Sequence, residues 1–323
     1  MSSTKQLFAL ILISLVTNTA ASKQLHFSKV EKGDTYQFNY QWLDHQNESQ
    51  EMSFTLNKSV LFNSFRNFRT FKPALATQYI NKSIVKHLHK NPIANVQINY
   101  AKNTGNITVR GTDLKAINNA EKEITALNNE YTKKHLDTNF YHHFTTYNNT
   151  QAIKPNHVKF ATLSASDLKP MKPVIMEKVS IKNIRKATNY VLAFVQSIPY
   201  STLDFRIDSS GAGFNPPQKL LWENQGDCDS KVTLTASILR SLMPRIKMVL
   251  VYIDNHALIG IDTIAKANEI TITLDGTTYL LAEPTGPALF PVGTLNHASE
   301  LAITQGQYTA EKFHKEVSLK EVD

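Results

Sequence analysis

The stretch Pro217 to Asp229, P-Q-K-L-L-W-E-N-Q-G-D-C-D, contains Cys228, the only cysteine of the 323-residue chain. Asn224-Gln225-Gly226 predicts a turn, and K-V-T-L-T-A-S-I-L-R-S-L-M from Lys231 predicts a helix with Val232, Ala236, Leu239 and Leu242 on one stripe. Cys228 lies one turn ahead of Val232, so its sulfur is expected to face the core. A thiol in a first helical turn meets unpaired N–H groups and the positive end of the peptide dipoles, and both favour thiolate. A lone cysteine also serves as a small apolar core residue. The partners downstream decide between the two.

Working outward, Lys5 and the apolar run L-F-A-L-I-L-I-S-L-V precede small residues suited to cleavage near Ala20 to Ser22, the pattern of a secretory signal over residues 1–22. It is too short for a membrane span, an uncleaved anchor being the alternative, and no later run reaches the roughly 20 apolar residues a span needs. A periplasmic or secreted protein is expected. A single cysteine excludes an internal disulfide framework and leaves a thiol kept for reactivity or for pairing between chains. The formal charge of +8 comes from dispersed lysines without a dense basic block, which reads as a solvated basic surface and not as a nucleic-acid site. Asn-x-Ser/Thr triplets start at Asn47, Asn57, Asn81, Asn106 and Asn148 and matter only in a host that glycosylates.

Thr35 to Leu43 alternates Tyr36, Phe38, Tyr40 and Trp42 against polar residues, which predicts a half-buried strand, and Glu51 to Leu56 a second. Pro73 opens a helix with Leu75, Tyr79, Ile84 and Leu88 as its stripe. The pattern recurs: strands around Val96, Ile98 and Tyr100 and at Ile107 to Arg110 flank an Asn103-Thr104-Gly105-Asn106 turn. Thr112 or Asp113 then caps a helix carrying Leu114, Ile117, Ile124, Leu127 and Tyr131. Two strand–strand–helix units make residues 23–150 an α+β domain of unreadable role. Its histidines, including His87-x-His89 and His142-His143, lack acidic or sulfur ligands at matching spacing and read as surface residues. Phe62, Phe65, Phe68 and Phe71 read as packing. Residues 144–175 read as a linker.

A helix is expected from Ile181 to Ile198, stopped by Pro199. The loop Gly-Ala-Gly-Phe-Asn-Pro-Pro, residues 211–217, follows. Strands are expected at Met248–Ile253, His256–Ile261, Glu269–Leu274 and Thr277–Ala282, the last two joined by an Asp275-Gly276 hairpin turn. The tail after Ala310 carries no usable motif.

The succession F-V-Q-S-I-P-Y, P-P-Q-K-L-L, G-D-C-D with its helix, H-A-L-I-G-I and Y-L-L-A-E-P-T-G resembles the transglutaminase-like superfamily over about residues 180–290. It is closest to the exported bacterial transglutaminase-like cysteine proteases. The resemblance implies a papain-like catalytic core within residues 151–323: a nucleophilic cysteine at a helix start packed on an antiparallel sheet, without a cofactor or metal. Carried over by position, Cys228, His256 and Glu283 form the triad, although the family more often places Asp at the third position. Asp262 and Asp275 are the other acids that can orient the imidazole. The oxyanion falls to backbone N–H groups at the helix start and one side-chain donor from Gln196, Tyr200 or Trp222, with Gln196 preferred. Asp227 and Asp229 are expected at the turn and helix start, because turned inward they would raise the thiol pKa.

This assignment makes a topological demand. A plain meander separates His256 from Glu283, so 277–282 must lie beside 256–261 with 269–274 outside it. Residues 262–268 then return along a strand of roughly 20 Å, at about 3.3–3.6 Å per residue. The expected function is cleavage of a peptide or isopeptide bond through a Cys228 thioester, with a protein or peptide of the cell envelope as partner. Alternatives are cross-linking to an amine acceptor and non-catalytic envelope binding.

Overall fold

Alternating apolar and polar side chains build the first sheet of this mixed α+β protein, whose sheets are antiparallel. In the computed structural model, which describes residues 23–101, 105–203 and 213–313, the strands β1 (Gln24–Lys32), β2 (Thr35–Leu43) and β3 (Ser49–Asn57) pair in that order. One face buries Phe38, Tyr40, Trp42, Met52, Phe54 and Leu56. These side chains close on distant parts of the chain. The rings of Tyr40 and Trp42 pack 4.9 and 5.3 Å from that of Phe194, in the helix that begins at Ile184. The expected boundary near residue 150 therefore does not coincide with a break in the core.

After a short helix, α1 (Lys58–Asn63), Pro73 takes the first position of α2 (Pro73–Lys90). The buried stripe is Ala76, Ile80, Ile84 and Leu88, so Leu75 and Tyr79 of the expected stripe are corrected to an outer face, 58% and 57% exposed. The four-residue repeat starting at Ala76 faces the next helix, and Leu75 and Tyr79 sit about 100° off it. The hairpin β4 (Gln97–Ala101) and β5 (Asn106–Arg110) and the long α3 (Leu114–Thr138) complete this satellite core. Asp113 caps α3 by accepting from Lys115 N at 2.9 Å. Asn103 and Thr104 of the expected turn lie outside the described residues.

The expected linker at 144–175 is a correction. It folds into β6 (Tyr141–Thr145), β7 (Gln151–Pro155), α4 (His157–Asp167) and α5 (Met171–Lys178). Small residues such as Ala161, Ser164 and Ala165 give a weak apolar signal, yet they are what lets a helix press closely on a neighbour.

The helices α6 (Ile184–Ser197), α7 (Pro217–Glu223) and α8 (Cys228–Leu242) share one core with the first sheet on one side and a five-stranded sheet on the other. That second sheet comprises β8 (Met248–Ile253), β9 (His256–Ile261), β10 (Thr271–Leu274), β11 (Thr277–Ala282) and β12 (Thr309–Lys312), in the order β10-β11-β9-β8-β12. Ala282 pairs with Ile259 and Leu280 with Ile261, so β11 lies between β9 and β10 as the His256–Glu283 assignment requires. Met248, Leu250 and Ile259 face the helices. Val249, Val251 and Leu258 face the opposite way, towards Leu295 and Ile303, the latter on α9 (His297–Thr304). With both faces covered, the central strands are almost continuously apolar.

β12 is taken from the tail that carried no motif. β10 starts at Thr271 because Glu269 is engaged instead by Arg185, at 2.6 Å. The signal segment 1–22 and Gly211-Ala212 of the expected loop lie outside the described residues. No helix among the described residues is long and apolar enough to cross a membrane.

Candidate active site

Asp227 caps α8, its carboxylate accepting from Ser230 N at 2.9 Å. A Cβ on Gly226 would stand 2.8 Å from Leu220 Cδ1 and 3.0 Å from Ser230 Cβ, so the turn between α7 and α8 closes only around a glycine. The same turn is stitched to the end of α6: Gly226 N donates to Pro199 O at 3.3 Å and Ser201 N to Gly226 O at 3.2 Å. The I-P-Y segment thus braces the residues that present Cys228.

Cys228 is partly buried, and its thiol donates to Asn255 O at 3.9 Å. The sulfur rests against the backbone on either side of His256. His256 Nε2 is 2.8 Å from Glu283 Oε1, which leaves Nδ1 as the ring nitrogen for the thiol proton. Thiol and imidazole are not hydrogen-bonded to each other in this conformation. Asn296 completes the carboxylate: its N–H donates to Oε2 at 2.9 Å and its Nδ2 to Oε1. Burial pushes the Glu283 carboxyl up, but hydrogen bonds from His256 and Asn296 outweigh it and hold the group below the usual glutamate range. Glu283 is therefore ionised at neutral pH. Asp262 pairs with Lys247 at 3.4 Å and Asp275 with Lys312, so neither orients this ring.

The expectation that the helix start favours thiolate is corrected. Burial, then the charges of Asp229 and Asp227, push the Cys228 thiol up to about 12, against the opposing pull of N–H groups at Asp229 and Ala257. Both aspartates are themselves raised, above all by burial. Asp229 Oδ2 lies 3.8 Å from Nε2 of His157, a fully buried imidazole on α4 whose Nδ1 meets the Tyr252 hydroxyl at 3.1 Å. Burial holds His157 neutral.

The structure also corrects Gln196 as an oxyanion donor. Its amide nitrogen donates to the carbonyls of Glu283 at 2.8 Å and Phe290 at 2.9 Å, so both hydrogens are committed. Gln196 fixes the Glu283 turn to α6 instead. A Cβ on Gly286, at φ +54°, would collide with the Gln196 carbonyl, which shows how tightly the two segments meet. Trp222 packs edge-on with Tyr36 and Phe62 under the Lys29 ammonium. Tyr200 adjoins Gly226 through its backbone, with its side chain half-exposed. Backbone N–H groups in the first turn of α8 remain the donors at hand.

Two neighbours escape a reading of the sequence. Lys231, one turn after Cys228, is fully buried and donates to Ile198 O and to Thr285 O at 2.8 Å, tying α8 to the end of α6 and to the Glu283 turn. A lysine inside an apolar helix face looks like a surface residue, so only its position next to the cysteine hints at this. Asn296 has a clearer signal, since Asn-x-x-Ser is an N-cap pattern and Asn296 caps α9 by accepting from Ser299 N. Beside His256, a cavity of about 350 Å³ opens between Asn255, Asn296, Ser299 and Gln307.

His87 Nδ1 meets the Tyr131 hydroxyl and His142 lies 3.3 Å from Glu311; the described residues contain no cluster of three or more His, Cys, Asp or Glu suited to a metal. No family model matches the chain, and neither a curated protein nor a solved structure matches it.

Proposed function

We propose that the chain is an exported cysteine-dependent acyl-transfer enzyme with a transglutaminase-like core, which hydrolyses amide bonds of peptides or isopeptide links through a thioester at Cys228. The observation that carries this reading is the buried, ionised Glu283 held on His256 Nε2, with the Cys228 sulfur seated against the backbone flanking the same ring.

The thiol must turn from Asn255 O toward His256 Nδ1. Because burial and the neighbouring carboxylates favour the protonated thiol, the ring takes its proton as the sulfur–carbon bond forms. The electron pair displaced onto the carbonyl oxygen is met by N–H groups at the start of α8. Collapse breaks the carbon–nitrogen bond, and the proton on Nδ1 passes to the departing amine. Water, deprotonated by the same nitrogen, then attacks the thioester; the carbon–sulfur bond breaks, the acid leaves, and the proton on Nδ1 returns to the Cys228 sulfur. Glu283 stabilises the imidazolium in both halves of the cycle.

The runner-up is the same thioester resolved by an amine acceptor, for which the cavity of about 350 Å³ beside His256 leaves room. Incubating unfolded protein substrates in ¹⁸O-water with an added primary amine separates the outcomes by mass spectrometry. New carboxyl ends bearing ¹⁸O support hydrolysis, amine adducts support cross-linking, and products that persist with Cys228→Ala, or no products at all, refute the enzyme reading.

A further inference from the structure

The segment Phe62 to Lys72, F-N-S-F-R-N-F-R-T-F-K, alternates aromatic rings with Arg66, Arg69 and Lys72. Its rings are anchored from beneath. Phe68 is buried against Tyr141, Phe160 and Phe214, and Phe65 packs on Phe140 and Phe160. The segment therefore stands as a fixed ridge between two concavities. One, of about 440 Å³, lies against α7 between Phe62, Arg66, Lys219 and Trp222. The other, of about 520 Å³, lies between Phe71, Lys72, Leu75 and Tyr79. Arg69 borders both, its Nη1 donating to the Arg66 and Phe68 carbonyls, so its guanidinium is positioned before any ligand arrives.

Two features of this groove are unfavourable in the free protein. Phe62, Leu75 and Tyr79 expose about half of their surface, an apolar area left to water. Among the described residues, none of Arg66, Arg69, Lys72 and Lys219 forms an ion pair, and Glu223 is the one acid among the residues lining the two cavities. Lys219 is partly buried, and its pKa is pulled down by burial and by Arg69, with Glu223 opposing. Cations gathered beside exposed rings call for an anionic ligand that also carries apolar side chains.

We propose that this groove, on the face of the molecule made by the 62–72 ridge and α7, is a docking site for an acidic peptide segment bearing aromatic or aliphatic side chains. Its carboxylates engage Arg66, Arg69 and Lys219, and its apolar side chains fill the two concavities. Concave, side-chain-sized cavities on either side of a ridge suit an extended peptide better than a lipid surface, which meets a flat or convex face. The site does not depend on the acyl-transfer reading, although α7 leads directly into the Cys228 turn.

Binding is read by fluorescence anisotropy in the full chain carrying Cys228→Ala, so that turnover plays no part. The probe is a labelled peptide alternating Glu or Asp with Phe and Leu; the control replaces each acid with Lys. The acidic probe is expected to bind and to weaken steeply with salt, and Arg69→Glu is expected to lower its affinity about tenfold or more. Arg66→Gln, at an exposed position, is expected to lower it severalfold and serves if Arg69→Glu does not fold. Equal binding of acidic and basic probes, or affinity unchanged in both variants, overturns the proposal. So does co-sedimentation with phosphatidylserine vesicles that is lost in the same variants while the peptide fails to bind, since a lipid surface is then the ligand.

Discussion

Asp229 works against the thiol it adjoins. Its charge raises the Cys228 pKa second only to burial, so Asp229→Asn is expected to move the thiol's titration downward, read from the pH dependence of its alkylation rate. An unchanged or higher midpoint contradicts this account of the thiol. Glu283 instead supports the ring it touches, its carboxylate lying 2.8 Å from His256 Nε2. Glu283→Gln keeps the shape and loses the charge that stabilises the imidazolium, so kcat is expected to fall about 10²–10⁴-fold with KM little changed. A rise in KM with kcat unchanged places Glu283 in substrate binding instead. His256 and Glu283 were singled out by position in the resemblance, since a histidine at a strand start and a glutamate before proline are ordinary locally, and the fold brings the two side chains to 2.8 Å. Gln196 was misjudged because an amide's partners are decided by which carbonyls the fold brings near, here those of Glu283 and Phe290.

Elements are held around these residues by buried polar clamps. Burial pulls the Lys231 pKa down to about 7 from an unfolded value near 10.5. Between those values the unfolded chain binds a proton that the folded chain does not, so this group adds stability as pH rises from about 7 to about 10.5. The stability of wild type relative to Lys231→Met is therefore expected to rise over that window, measured by urea unfolding at pH 7 and 9.5; an unchanged difference contradicts a buried lysine. Asn296→Ala removes both the α9 cap and the side-chain hydrogen bond from Nδ2 to Glu283 Oε1, while the backbone N–H that donates to Oε2 stays. It is expected to cost about 1–2 kcal/mol of stability and to lower kcat as well, whereas a purely structural cap would leave kcat unchanged once the protein is folded. Strands with clear alternation or continuous apolar runs were readable to within a residue or two, as at Thr35–Leu43 and Thr277–Ala282. The helix at His157–Asp167 was not, because its buried face, apart from Phe160, is made of small residues and one histidine.

At the scale of the whole molecule, the first sheet and the Cys228 helix share one core, a fact hidden from the sequence because Trp42 and Phe194 are more than 150 residues apart. Trp42→Ala is expected to cost about 3–5 kcal/mol. Urea unfolding followed by tryptophan fluorescence and by exposure of the Cys228 thiol is expected to give coincident transitions; separated midpoints would mean that the halves fold independently. The strand order β10-β11-β9 is the global device of the site, since it returns Glu283 to the end of the sheet where His256 begins. That convergence on Cys228 is tested most directly by the rate at which an electrophilic peptide probe labels the thiol at pH 7 in wild type and in His256→Ala. The account predicts labelling at least about 100-fold slower without the imidazole, and equal rates in the two proteins would contradict it.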